Sequence, residues 1–352
     1  MKTLIAHQKL SCRFYDFIFA GIFPYSEKNI RKYIPKQYLQ WVGSARSGLS
    51  QLLSQGEKVG LQSFTCHVVL DAVLKAQAIP IFIDSGAILT AEDVEKNIKR
   101  IDTLIVSYNF GFMPNMEKIT SICKKSNVRL IEDCAQALGA ISDGKLAGSF
   151  GEAAIYSFGI SKNIGLIGGI VATDKPFLYV GKNYPKFSRY FSYAKSSMGN
   201  LFFNLYIYNY TSPLFKYALK PESVKDYLMP DFAKYVVLSQ ARRYHKMLDL
   251  RKKNATYLMK ELSGIIEFVK PEAGTEPAWL YFVVQHKNRD ALRSRLLKEN
   301  IDVQPLHTFT DISRNSEKAQ LFEKTHLAFA LLRSEKETEE IGKAIKRVLK
   351  NA

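Results

Sequence analysis

Lys162 stands alone between two apolar segments, where a lysine side chain could act as a nucleophile. Residues 153–158 have the composition of a buried strand, and residues 166–172 have that of the next strand. An ammonium group at such a junction is costly to desolvate, and desolvation lowers the pKa of a lysine. A deprotonated lysine forms Schiff bases with carbonyl compounds. A solvated loop lysine is the alternative interpretation of the same spacing.

Asp133 is the second residue whose position suggests chemistry. It ends a predicted strand at residues 128–133, and Gln136 follows within one short turn. Open α/β sheets bind their ligands at the carboxyl ends of the strands. A buried carboxylate there could keep a ring nitrogen protonated, but a helix cap or a turn residue explains Asp133 equally well.

A turn of small residues, Gly-Ser-Ala-Arg-Ser-Gly at residues 43–48, precedes a helical run at residues 49–54. The free N–H groups at the N-terminus of a helix bind phosphate, so this turn is a candidate phosphate site. A plain N-cap formed by Ser44 is the alternative.

These residues require a sheet that presents its strand ends on one side. Short apolar runs alternate with amphipathic stretches between residues 40 and 175, which predicts an α/β fold with a mainly parallel sheet. Further along, the periodicity predicts one long helix over residues 235–262. The expected strands are residues 58–62, 79–84, 103–107, 128–133 and 279–284, and the expected helices are residues 68–76, 91–100, 116–125, 289–299 and 335–349.

Composition limits the class of protein. A chain of 352 residues suggests two domains, and four scattered cysteines without metal-ligand spacing favour reduced thiols in the cytoplasm. No signal peptide is expected, and the apolar residues 14–25 are too few to span a membrane. They predict a helix packed on a neighbour, with an interfacial anchor as the alternative.

The net charge of +17 predicts a surface that attracts anions. Residues 175–221 contain no acidic residue and interleave six lysines and one arginine with many aromatic residues. Such a segment could cover a partner subunit or a substrate, or contact a membrane surface. Nucleic acid is not expected as a partner, because no recognisable nucleic-acid module accompanies the segment.

In this order, the motifs resemble the DegT/StrS family of sugar-nucleotide aminotransferases, which are pyridoxal-phosphate enzymes of fold type I. The likeness is strongest over residues 43–174. It rests on Gly-Ser-Ala-Arg at residues 43–46, Glu-Asp-Cys-Ala-Gln-Ala-Leu-Gly at 132–139, the glycine-rich segment 144–151, and Ser-Phe-Gly-Ile-Ser-Lys-Asn at 157–163, followed by Gly168 and Gly169.

The resemblance implies a large domain with a mainly parallel mixed sheet and a smaller C-terminal α/β domain. We expect an N-terminal segment at 1–42 and a cofactor-binding domain at 43–234 that contains the basic aromatic insert 175–221. A connecting helix at 235–262 and a small domain at 263–352 complete the chain.

The resemblance also implies residue roles. Lys162 would hold pyridoxal 5′-phosphate as a Schiff base and move protons, Asp133 would pair with the ring nitrogen, and Gln136 would contact the ring's 3-oxygen. The phosphate would lie against Ser44, Ala45 and Ser157, and the ring against Thr65 and Cys66. Glutamate is the expected amino donor and a nucleotide-linked keto sugar the acceptor. A cytoplasmic homodimer with peripheral membrane contact through residues 175–221 is expected, in surface polysaccharide or natural-product synthesis.

Several positions depart from the family pattern. Cys66 replaces the aromatic residue that stacks on the cofactor, and Phe64 or His67 would have to compensate. Asp226 and Leu228 replace an asparagine and an arginine, the asparagine being the residue that reaches the partner subunit's cofactor phosphate; the neighbouring Lys225 could supply positive charge instead.

His307 matches a substrate-side histidine, although a surface histidine is the alternative. The departures support a second hypothesis, a weakened relative that binds a sugar nucleotide, a membrane or a partner. A sugar dehydratase of the same fold would replace the lysine by histidine, and Lys162 argues against it.

Overall fold

Seven strands of the chain form the central sheet of the protein. The structure is a computed structural model that describes residues 5, 11–22, 26–159, 161–185, 225–303 and 309–350. Its helices are α1 (Phe14–Ile22), α2 (Ala45–Leu52), α3 (His67–Lys75), α4 (Ala91–Asn97), α5 (Met116–Lys125), α6 (Asp231–Ala241), α7 (Tyr244–Leu262), α8 (Arg289–Lys298), α9 (Glu317–Thr325) and α10 (Glu335–Lys350).

The strands are β1 (Tyr38–Val42), β2 (Lys58–Gln62), β3 (Phe64–Cys66), β4 (Ile79–Ile83), β5 (Thr103–Ser107), β6 (Arg129–Asp133), β7 (Ile141–Ser142), β8 (Lys145–Leu146), β9 (Ala153–Ser157), β10 (Gly169–Thr173), β11 (Glu267–Phe268), β12 (Thr275–Glu276), β13 (Tyr281–Gln285), β14 (Phe309–Asp311) and β15 (His326–Ala330).

The central sheet has the strand order β1-β10-β9-β6-β5-β2-β4, and β10 alone runs antiparallel to the others. This confirms the predicted α/β fold with a mainly parallel mixed sheet. The apolar runs predicted as strands coincide with β2 and β5, since a strand covered on both faces consists largely of apolar residues.

The register of the sheet brings the candidate residues to one edge. Asp133 pairs with Ser107 on β5 and with Ile155 on β9. Gly169, at the start of the antiparallel β10, pairs with both Val42 and Ser157. The carboxyl ends of the parallel strands therefore meet the amino end of β10.

A second core lies towards the C-terminus. A three-stranded sheet of order β11-β13-β15 packs with α7, α8 and α10, and buries Phe282, Leu327 and Ile345. The domain boundaries expected from the sequence stay predictions.

The single connecting helix predicted over residues 235–262 is wrong. The chain forms α6 and α7 with a break at residues 242–243. Arg243 lies at the break because its guanidinium reaches Asp16 of α1, with Nη1 and Nη2 at 2.5 and 2.7 Å from the carboxylate oxygens. Helical periodicity continues across a two-residue break and does not reveal it.

Helix α1 packs on α6, as predicted for residues 14–25, and leaves an apolar face exposed. Phe14 is 69% exposed, Ile18 47% and Phe19 42%. No helix in the described ranges combines the length and the apolar composition that membrane crossing requires. Of the basic aromatic segment, residues 186–221 lie outside the described residues.

Asp16→Ala is expected to lower the free energy of unfolding by about 3 kcal/mol, because it leaves Arg243 unpaired in a partly buried site. The Asp16 side chain is fully buried and also accepts a hydrogen bond from the Ser239 hydroxyl. Chemical denaturation measures the loss, with Asp231→Ala as the control because Asp231 is an exposed residue in the first turn of α6. Equal effects of the two substitutions would contradict this role.

Candidate functional site

A cavity of about 330 Å³ opens at the carboxyl edge of the central sheet. Its walls come from the turn before α2, the ends of β6 and β9, the loop that carries Lys162, and Lys225 and Tyr227. The residues singled out in the sequence that line it include Ser44, Ala45, Cys66, Asp133, Ser157, Lys162 and Lys225. A smaller cavity of about 20 Å³ beside it adds Gln136 and shares Cys66, Asp133 and Lys162.

Lys162 is half-buried on a short loop between β9 and β10. Its backbone N–H donates to the carbonyl of Gly159 at 2.9 Å, which forms the turn that carries the side chain. The neighbouring Asn163 donates through Nδ2 to the buried Tyr244 hydroxyl at 2.7 Å. On the other side, Gln240 accepts from the N–H of Gly165 and donates to its carbonyl, at 3.2 and 3.0 Å. The lysine is thus held on a loop anchored in the core.

Asp133 is only 8% exposed and faces Lys162. Its carboxylate accepts hydrogen bonds from the N–H of Ala135 at 3.0 Å and from the Ser107 hydroxyl at 3.2 Å. Burial raises the pKa of the Asp133 carboxyl, and the charge of Lys162 and these two donors oppose that increase. The site therefore contains a desolvated carboxylate stabilised by a nearby cation.

Glu132, the residue before Asp133, is fully buried and organises the glycine-rich segment. It accepts hydrogen bonds from the backbone N–H groups of Gly148, Phe150 and Gly151 and from the Tyr108 hydroxyl, at 2.6–2.7 Å. Burial raises the pKa of the Glu132 carboxyl, and these donors offset only part of that increase. The acidic pair thus divides its roles: Glu132 points into the core and Asp133 into the cavity.

Gln136 is oriented by the backbone. Its side-chain oxygen accepts from the N–H of Phe110 at 2.6 Å. This bond distinguishes the two ends of the amide and leaves the NH₂ group as the donor that can face a ligand.

The turn before α2 fits both interpretations of its sequence, the N-cap formed by Ser44 and the phosphate site. The Ser44 hydroxyl is the N-cap and accepts from the N–H of Ser47 at 3.2 Å, while Ser44, Ala45 and Arg46 line the cavity. The N–H groups in the first turn of a helix lack intrahelical acceptors. Together with Ser157, this turn forms a polar end of the cavity suited to an anion.

Of the neighbouring residues Thr65 and Cys66, only Cys66 contacts the cavity. Cys66 lines both cavities. Thr65 lies behind the wall, where its hydroxyl donates to Asn109 at 3.3 Å. Phe64 is fully buried against Phe110, Phe309 and Phe322, so it is not placed to stack on a ligand in the cavity. The thiol is the group that this segment presents.

The residues that replace the family's asparagine and arginine point elsewhere. Asp226 forms an ion pair with Lys75 of α3. Leu228 pairs with Val42 as an isolated β-bridge. Lys225 and Tyr227 line the cavity. His307 lies outside the described residues.

The lining residues that were not predicted include Arg46, Tyr184 and Tyr227. The tyrosine rings pack together, with centroids 5.0 Å apart, at the cavity wall. Arg46 stands within the predicted turn, and its charge was the available signal. Nothing local marks Tyr184 within an aromatic segment, because its position depends on contact with residues distant in sequence.

The chain is similar in sequence to known proteins over part of its length. The chain is 29% identical over 168 residues to GDP-perosamine synthase of Escherichia coli O157:H7, covering 44% of this chain and 46% of that protein. It is 35% identical over 127 residues to UDP-N-acetyl-3-dehydro-alpha-D-glucosamine 3-aminotransferase of Acidithiobacillus ferrooxidans, covering 34% of each. The aligned stretch therefore spans less than half of either relative.

A solved structure shares the fold over nearly the whole chain. It is the PLP form of the putative sugar aminotransferase Spr1654 from Streptococcus pneumoniae, with a TM-score of 0.73 at 16% identity. It covers 99% of this chain and 98% of that one. The model of the DegT/DnrJ/EryC1/StrS aminotransferase family matches residues 26–331, and the chain belongs to that family.

Proposed function

We propose that this protein is a pyridoxal-phosphate-dependent aminotransferase that transfers an amino group, with glutamate as donor, to a keto sugar linked to a nucleoside diphosphate. One observation supports this most strongly. Lys162, Asp133 and the anion-suited turn at Ser44 line a single cavity at the carboxyl edge of the sheet. Separate surface roles for these residues would not require such convergence.

The residues present fit pyridoxal 5′-phosphate, the cofactor of this family. When bound, it acts as an electron sink for the carbanion that forms at the donor's Cα. The N–H groups of the α2 turn and Ser157 would bind its phosphate, Asp133 its ring nitrogen, and the Gln136 amide its ring oxygen. Lys162 would hold it covalently.

Two side chains divide the proton chemistry. The Asp133 carboxylate would pair with the protonated ring nitrogen, since each charge would stabilise the other beside a residue that is only 8% exposed. The Lys162 Nζ accepts and returns the proton that leaves Cα, because its loop holds it at the cavity wall. The core anchors at Asn163 and Gly165 keep this amine in place.

The acceptor is proposed from the relatives and from charge. The named relatives act on GDP- and UDP-linked sugars, by their names. A chain of net charge +17 also attracts the pyrophosphate of such an acceptor. A cytoplasmic homodimer remains part of this proposal. The non-catalytic hypothesis is weaker, because the lysine and its carboxylate share one cavity.

Lys162→Ala is expected to abolish the long-wavelength absorbance that pyridoxal phosphate gives on the purified protein, and to lower transamination about 10³-fold or more. Absorbance spectra and mass spectrometry of nucleotide-linked keto sugars incubated with glutamate measure both. Lys99→Ala is the control, since Lys99 is exposed on another part of the chain. A parent protein that stays colourless with added cofactor would contradict the proposal.

Asp133→Asn is expected to lower activity without lowering thermal stability. Burial raises the folded-state pKa of Asp133, so ionisation lowers the free energy of unfolding as pH rises above the unfolded-state pKa. The amide keeps an acceptor for Ala135 and carries no charge. At pH 7 the cofactor-free variant should therefore melt at the same temperature as the parent or higher, while its transamination falls about 10²-fold.

Thermal unfolding between pH 4 and 8 measures the stability effect, with the exposed Asp143→Asn as the control. A variant that melts much lower at pH 7 and keeps its activity would contradict the assigned role.

Cys66 is expected to react with iodoacetamide before the other thiols. It is half-buried, whereas Cys12, Cys123 and Cys134 are buried and burial raises their pKa. Pyridoxal phosphate at ten times its dissociation constant should slow this labelling about tenfold if Cys66 faces the cofactor. Peptide mass spectrometry measures it; unchanged labelling in a coloured, saturated protein would place Cys66 away from the ring.

A further inference from the structure

Residues 225–229 lie over the turn that precedes α2 in the same chain. The N–H of Gly43 donates to the carbonyl of Tyr227 at 2.6 Å, and Val42 and Leu228 form an antiparallel bridge. On the other side, Lys182 donates to the carbonyl of Asp226 and accepts from the N–H of Leu228, each at 2.8 Å. The segment is therefore held by main-chain bonds on both sides.

Two glycines allow this close approach. A Cβ at Gly43 would collide with the carbonyl of Tyr227. A Cβ at Gly168, where φ is +87°, would lie 2.7 Å from the sulfur of Met229 and 2.9 Å from the carbonyl of Val42. The turn and residues 225–229 are thus built to pack against each other.

The charges beside the turn largely cancel. Arg46 is paired with Asp71 at 3.4 Å, and Asp226 is paired with Lys75. Lys162 also lines the cavity, but its amine is assigned to the Schiff base. Lys225 is the other lining lysine, and it forms no ion pair with any of the described residues.

We propose that Lys225 binds the cofactor's phosphate within its own chain, so that the anion site is completed in cis. This rests on the proposed function and deepens it. The α2 turn supplies N–H groups, and Lys225 supplies the full charge that a dianion needs beside such donors. Asp226 does not oppose it, because Lys75 binds that carboxylate outside the cavity.

Lys225→Met tests the charge. The variant keeps the main-chain bonds of the segment and the length of the side chain, so its pyridoxal phosphate affinity should fall about tenfold or more. Its affinity for pyridoxal, which lacks the phosphate, should stay within about twofold of the parent's. Inorganic phosphate should also compete less well against pyridoxal phosphate. Lys182→Met is the matched control: Lys182 is exposed on the adjacent segment and does not line the cavity.

Titration by absorbance or fluorescence measures these affinities without turnover. An unchanged preference for pyridoxal phosphate over pyridoxal in Lys225→Met would overturn the proposal. A parent protein that binds neither compound would instead refute the proposed function.

Mixing two variants distinguishes cis from trans. Lys162→Ala and Lys225→Met chains are combined under conditions that exchange subunits, and the tight-binding sites are counted. If Lys225 serves its own chain, every chain that keeps Lys162 lacks its phosphate cation, and no tight site appears. Recovery of tight sites, up to one per mixed dimer, would show that Lys225 acts on the partner and would overturn the proposal.

Discussion

The placement of Lys162 near the buried Asp133 carboxylate is the constraint on which the site depends. A carboxylate that is only 8% exposed is costly to ionise, and the adjacent ammonium together with two hydrogen-bond donors offsets part of that cost. The Asp133 carboxylate would be more costly to ionise without that charge and those donors. This placement explains why a strand end and a loop distant in sequence must be fixed relative to each other.

The surrounding core provides that fixation through buried polar groups. Glu132 ties the glycine-rich segment beside β6, and Tyr244 and Gln240 hold the loop that carries Lys162. Arg251 is 1% exposed and donates to the carbonyl of Asn163 at 3.3 Å, while its Nε and Nη1 atoms have no hydrogen-bond partner among the described residues. Buried polar groups without a partner reduce stability locally, and the Asn163 side-chain oxygen is another such group at this loop.

The structure shows where two of the departures from the family pattern lie and what each side chain contacts. An aspartate beside a phosphate would be repulsive, but Asp226 is neutralised by Lys75 on α3. Cys66 does present a thiol to the cavity in place of an aromatic ring, and buried Phe64 does not compensate for it. Asp226 is therefore neutralised by a long-range contact, whereas Cys66 changes the surface that a ligand contacts.

The sequence by itself determined the α/β fold, most strand positions, and the motifs around Asp133 and Lys162, because these depend on local periodicity and short spacings. It did not reveal the break between α6 and α7, which follows from the pairing of Arg243 with Asp16. Nor did it show that Tyr184 and Tyr227 line the site or that Asp226 turns away. Only the tertiary structure decided these points, since they depend on contacts between residues up to 227 positions apart. Lys162 was identified from its neighbours in sequence, whereas its contacts with the core and with Asp133 were revealed only by the fold.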